Sequence, residues 1–324
     1  MLKILRPMKR LLGLFILLFL FNSCDDGDVT FENIDFSDVN SQKCSNKDVI
    51  YKIKGNDMLI LVLPDYIFLP DETPENTPFE LPINATNQVI YRTYMGSISS
   101  DNICPSVPSA TPNVSEEWRG ISGTIQITSR AIKTTNPVTN ATKITGYQYY
   151  IVFKNISFQK PNGIQIYETF VFGNYNTSIP PLEFGFDDQA DKSSCDNRVF
   201  NFSGSEAFIL DVADFASLFK NEVTTTPRMQ VINDANKVTY QLYSGIVNDA
   251  YFCSTTTPPT PTLSQEWKAV NGLEATNGII EVTTTTLGNG FLHTINLKKV
   301  TLKRSNSDFY LGDTYLYGKI ITFP

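Results

Sequence analysis

The groups that could do acid–base or metal chemistry are few and scattered. The chain has one histidine, His293, in its 324 residues. Histidine is the side chain whose ordinary charge change falls nearest neutral pH, so it is the first candidate for a general base. It stands in an alternating pattern, Phe291-x-His293-x-Ile295-x-Leu297, which reads as a ring on a strand face. One imidazole cannot build a multi-histidine zinc site. Paired carboxylates can cleave glycosidic bonds. Glu117 and Glu266 precede the tryptophans Trp118 and Trp267, and Glu168 and Asp313 sit in matching strand patterns. Nothing in the spacing brings any two of them together. Asp187, Asp188 and Asp191 cluster, but without EF-hand spacing and short of the roughly six to eight oxygens that Ca²⁺ takes. No G-x-S-x-G elbow, P-loop or G-x-G-x-x-G turn is present. Tyr147, Tyr149 and Tyr150 fall on both faces of one strand, so at least one is expected at the surface. The residues therefore read as a non-catalytic protein with no metal and no cofactor. Tyr147, Tyr149 and Tyr150 are its candidate ligand-binding aromatics.

The elements that carry these residues occur twice. Cys104–Gly123 (CPSVPSATPNVSEEWRGISG) returns as Cys253–Gly272 (CSTTTPPTPTLSQEWKAVNG), with seven of twenty positions identical. Both tryptophans lie in the repeated stretch. Repeats fix architecture, so they come before any local reading. Upstream, Asn87-x-Val89-x-Tyr91-x-x-Tyr94 returns as Asn236-x-Val238-x-Tyr240-x-x-Tyr243. Ile34-x-Phe36-x-Asp38 and Phe184-x-Phe186-x-Asp188 read as short alternating strands. Downstream, each copy has a long strand whose apolar phase switches, which predicts β-bulges near Lys154-Asn155 and Lys298-Lys299. The last strands place Ile164, Ile166, Phe170 and Phe172 on one face, and Phe309, Leu311, Tyr315 and Tyr317 on its counterpart. The second copy carries about six extra residues near Leu273–Asn277, and Leu218-Phe219-Lys220 can form a helical turn. About seven short strands per copy, with turn signals between them, predict an all-β fold. The expectation is two tandem duplicated antiparallel β-sandwich domains of immunoglobulin-like size, at 30–180 and 181–324. The tryptophans, recurring with this frame, are expected to anchor the loop before them on the core.

Composition bounds the setting. The first 23 residues hold Lys3, Arg6, Lys9 and Arg10 and no acid; the rest carries 22 basic against 33 acidic residues, a net −11. Such a surface repels phosphate backbones, so nucleic acid is not an expected partner. Leu11–Phe21 (LLGLFILLFLF) is a purely apolar run, too short for the roughly 20 residues of a membrane span but suited to a signal-peptide core. Asn22-Ser23-Cys24 follows, then Asp25, Asp26 and Asp28. This start resembles the signal of bacterial lipoproteins of the Bacteroidota type. The resemblance implies a signal peptide over 1–23, lipid on Cys24 and an acidic tether over 24–29. It also implies attachment to the outer membrane, facing the cell surface. Phe21 departs from the usual leucine of the motif.

Export implies an oxidising compartment for Cys44, Cys104, Cys195 and Cys253. Four cysteines allow three pairings. The repeat favours one bridge in each copy, Cys44–Cys104 and Cys195–Cys253. The whole reading is a lipid-anchored envelope protein with a binding or structural role. Its partners beyond the membrane would be a glycan or another envelope protein. The competing reading is an envelope glycoside hydrolase, or another polysaccharide-processing protein, working through paired carboxylates.

Overall fold

The computed structural model of the protein describes residues 34–324. The signal segment, Cys24 and the acidic stretch 24–29 lie outside the described residues. The fold is all-β, in three antiparallel sheets. The first half holds β1 (Gln42–Lys43), β2 (Val49–Lys54), β3 (Asp57–Val62), β4 (Phe79–Pro82) and β5 (Gln88–Tyr94). Three long strands follow: β6 (Val114–Thr135), β7 (Thr142–Lys160) and β8 (Gly163–Ser178). All eight make one sheet in the order β1-β2-β3-β5-β6-β7-β8, with β4 on β6.

The long strands let this one sheet turn a corner. The first part of β6 pairs with β5, up to Arg119, and its second part pairs with β4, from Thr124. Between them sits Gly123 at φ 123°, where an added Cβ would meet the Ile156 Cα at 2.8 Å. Only glycine allows that conformation and that approach together. Opposite it, Asn155 takes φ 50° and the β6–β7 register slips by one residue, which is the expected bulge.

The second half has β9 (Asp191–Lys192), β10 (Val199–Ser203), β11 (Glu206–Val212), β12 (Arg228–Val231), β13 (Asn236–Tyr243) and β14 (Leu263–Ala269). Then come β15 (Ile279–Leu287), β16 (Gly290–Lys298), β17 (Thr301–Arg304), β18 (Ser307–Tyr310) and β19 (Thr314–Thr322). Here the long strands are cut. Sheet order is β18-β17-β14-β13-β11-β10-β9 in one layer and β12-β15-β16-β19 in the other. The expected bulge near Lys298-Lys299 is a full break, with Lys299 at φ 50°. The inserted Leu273–Asn277 closes on itself as a turn where β14 and β15 separate. The Tyr317 hydroxyl on β19 reaches the carbonyls of Val199 (2.6 Å) and Phe208 (2.7 Å), tying the two layers together. Two short helices are α1 (Phe215–Leu218) and α2 (Asp249–Phe252). The first lies one turn before the sequence signal and begins there because the Asp214 side chain accepts the Ser217 N–H.

One apolar core runs through both halves, from Phe36 to Ile320. The central strands are buried on both sides. Leu59 and Leu61 of β3 face this core, whereas Met58 and Ile60 face a smaller cluster with Tyr51, Ile90 and Tyr94. That cluster lies under the loop that ends β5. The disulfide Cys44–Cys104 fastens the loop, and Cys195–Cys253 does the same in the second half, over Phe200, Ile209 and Tyr243. The shared Thr111-Pro112 and Thr260-Pro261 bonds in these loops are both cis.

Two details of the strand reading are corrected. Residues 34–41 and 183–190 lack regular strand structure, although Phe36 is buried and Phe184 and Phe186 are partly so. Their alternation comes from rings dropped onto the core by irregular backbone. In β8, Ile164 and Ile166 are each 58% exposed, while Gln165 and Tyr167 point inward with Phe170 and Phe172. The strand changes layer between Tyr167 and Phe170, so one parity does not hold along it.

Candidate functional site

Several sequence candidates resolve into packing. His293 is fully buried on β16, its two ring nitrogens 2.8 Å from the hydroxyls of Thr284 and Thr322. Burial, with the nearby Arg228 charge, pushes it down to about 4, so it is neutral at physiological pH. Trp118 and Trp267 are buried, each with its indole N–H on the side chain two residues before it, Glu116 or Gln265. Each is also capped by a cation: the Lys160 ammonium lies 4.1 Å from Trp118 and the Arg304 guanidinium 4.7 Å from Trp267. That occupies the ring faces that a sugar would need.

The carboxylates are dispersed. Glu117 is paired with Arg92 and Arg119; partial burial raises its carboxyl, and the two guanidinium partners more than reverse this. Glu266 is bound by Gln241 and Lys268. Asp188 pairs with Lys319, and Asp187 caps its own turn at Gln189. Among the described residues, no three His, Cys, Asp or Glu side chains group as metal ligands.

The three candidate tyrosines part company. Tyr147 is buried, its hydroxyl 3.1 Å from Ser307 Oγ of the other half. Tyr149 is buried too, donating to the Leu69 carbonyl at 2.8 Å, and burial pushes its hydroxyl up to about 12. Tyr150, 42% exposed, stands in a shallow groove with Pro78, Val152 and Val171. It is the one of the three exposed at the surface.

The deeper concavity lies where the halves meet. The β6–β7 hairpin of the first half reaches out to Thr135 and Thr142 and grips the β17–β18 hairpin of the second. Asp71 Oδ1 accepts from the Ser307 N–H (3.0 Å) and the Ser307 hydroxyl (2.7 Å), and Lys133 pairs with Asp308. Thr142 Oγ1 accepts the Tyr310 N–H, Asn140 donates to Asp313, and Arg304 donates to the Pro70 carbonyl. The connecting chain, Ile179–Phe184, arches over this joint. Beneath it lies a cavity of about 650 Å³. Its walls are Ile144 and Tyr147 from the first half and Tyr240, Leu242, Trp267 and Phe309 from the second.

The arch is held by Glu206, a buried carboxylate at the start of β11. It accepts the Tyr240 hydroxyl at 2.5 Å and the N–H groups of Phe184 and Gly185 at 3.2 Å. Burial and this carboxylate together raise the Tyr240 hydroxyl well above its ordinary range. Phe184 takes φ 50°, a left-handed conformation costing about 1–2 kcal/mol for a residue with a Cβ. Two hydrogen bonds and a parallel stack on Tyr240, 4.6 Å between centroids, offset that cost. Sequence reading passed over Glu206 and took Phe184 for a residue of a short strand. The available signal was the acid opening this strand in both copies, Asp57 and Glu206, followed by a buried run.

Comparison of the chain with protein-family models, with curated proteins and with solved structures finds no match.

Proposed function

We propose that the protein is a lipid-anchored component of a bacterial cell envelope, built of two duplicated β-sandwich modules that bind a ligand at their junction. The observation that carries the binding reading is the junction cavity. Its volume falls in the range of small-molecule sites, about 300–1,000 Å³, and its walls are mainly aromatic and aliphatic with a few polar side chains. The duplication is supported by matched details: the same strand order, a Tyr–Trp cross-strand pair in each half (Tyr91 with Trp118, Tyr240 with Trp267), and one disulfide per half. The placement in the envelope rests on Leu11–Phe21 and Cys24.

A hydrolase reading asks for two free carboxylates in a cleft. Glu206 is the most enclosed acid here, and its oxygens already hold Tyr240, Phe184 and Gly185. Its evident work is structural, so we assign the protein no reaction.

The test is retention. The purified protein is incubated with a small-molecule and lipid extract of envelopes, washed and denatured, and the released compounds are identified by mass spectrometry. Leu242→Trp fills the cavity from its half-buried wall. A compound kept by the wild type and lost from Leu242→Trp is expected; identical retention by both overturns the binding site. Labelling with a radioactive fatty acid tests the anchor, which falls if Cys24→Ala is labelled as well as the wild type.

A further inference from the structure

The walls of the junction cavity are mainly apolar, with Ser205, Gln265 and Arg304 the polar side chains among them whose hydrogen-bonding capacity is not used up. The Tyr147 hydroxyl is taken by Ser307, that of Tyr240 by Glu206, the Trp267 N–H by Gln265, and one of the Arg304 N–H groups by the Pro70 carbonyl. A glycan or nucleotide buried here would bring more polar groups than Ser205, Gln265 and Arg304 can satisfy. An apolar body brings none. Each methylene it buries contributes about 0.8 kcal/mol. Taking a methylene as about the size of a water molecule in the liquid, roughly 30 Å³, a chain of about twelve to sixteen carbons fits the cavity with room for a head.

The mouth supplies the other half of the description. Lys143, exposed on β7, borders the cavity, and its ammonium has no hydrogen-bond or ion-pair partner among the described residues. Glu183, also exposed and also unpaired among them, stands on the arch. Lys143 offers one charge-assisted contact to an anionic head, and Glu183 opposes a head of higher negative charge.

We infer that the junction cavity binds a single-chain amphiphile, with its hydrocarbon chain among Ile144, Tyr147, Leu242 and Phe309 and a singly anionic head at Lys143. This rests on the reading of the cavity as the binding site and adds the ligand's class to it.

Bromine quenches indole emission at contact, and of the two tryptophans only Trp267 walls the cavity. Dibromopalmitate, kept below its aggregation concentration, is titrated into the wild-type protein. Saturable quenching is expected that leaves the Trp118 emission in place. In Trp118→Phe, where Trp267 is the sole emitter, the same titration is expected to remove most of the signal. Lys143→Glu, an exposed change that leaves the walls intact, is expected to weaken the fatty acid about five- to tenfold and a brominated fatty alcohol not at all.

Quenching that does not saturate, or that affects Trp118 as much as Trp267, overturns the proposal. So does equal weakening of acid and alcohol by Lys143→Glu. Should dibromopalmitate fail while the extract still yields a compound lost from Leu242→Trp, the amphiphile assignment falls and the binding site stands. Should both fail, the site falls with it.

Discussion

His293 gives the sharpest physical test of the fold. In the unfolded chain it titrates near 6.5, and in the folded protein burial holds it at about 4. A folded value below the unfolded one means that the unfolded chain takes up the proton first. Stability is therefore fully present above pH 6.5, falls as pH drops from 6.5 to 4, and levels off below. The full difference corresponds to about 3 kcal/mol, and roughly 2 kcal/mol of it is lost between pH 7.5 and pH 5. Because His293 is the only histidine, no other side chain of ordinary pKa titrates between pH 6.5 and 5.

His293→Phe removes the titration and keeps the ring. Phenylalanine retains the edge-to-face contact with Phe219, and Thr284 and Thr322 keep partners in Arg228 and Asn221. The assay is urea unfolding followed by tryptophan emission, from pH 7.5 to 5, with the disulfides intact. The wild type should lose about 2 kcal/mol over that window and His293→Phe a few tenths at most. Equal losses in both proteins would refute the assignment of the acid limb to this residue.

Asp71→Ala removes the acceptor shared by the Ser307 N–H and hydroxyl at a site where Ser307 is fully buried, at a cost of about 2–3 kcal/mol; hydrogen exchange should speed up first in β17 and β18. Replacing either cysteine pair with serine should lower stability by roughly 4 kcal/mol, from the entropy of a loop of 60 or 58 residues, read as a shift in the urea midpoint. Gly146→Ala should be far worse than Gly290→Ala in thermal melts, because its Cβ would sit 2.1 Å from the Thr177 carbonyl against 2.8 Å from that of Thr322.

Much of the frame was legible because its signals are local. Alternation marked the strands, and the phase change marked the bulge at Asn155. The repeat singled out one of three disulfide pairings. Two kinds of information were missing. A β8 strand that changes layer carries its apolar residues in two parities, so Ile164 and Ile166 look like core until the corner is known. The junction cavity combines residues from the β6–β7 hairpin, the arch and β13, far apart in sequence. The acid that opens β11 is visible as a residue type, but no pattern within either copy places it under the arch. Candidate residues chosen by type were mostly partnered ones, such as Glu117 and His293.

The gripping hairpin of the first half has no equal in the second. There the matching strands, β15 and β16, turn back at Leu287 and Gly290 and extend no arm. The joint is thus directional, a hand on one side and a handle on the other. The first half has a handle of its own, the start of β8, with Ile164 and Ile166 facing outward. A further unit fused behind the second half would find nothing to hold it and would swing on its linker. Adding a third module by design would require transplanting residues 129–145 together with Asp71, not merely repeating the domain.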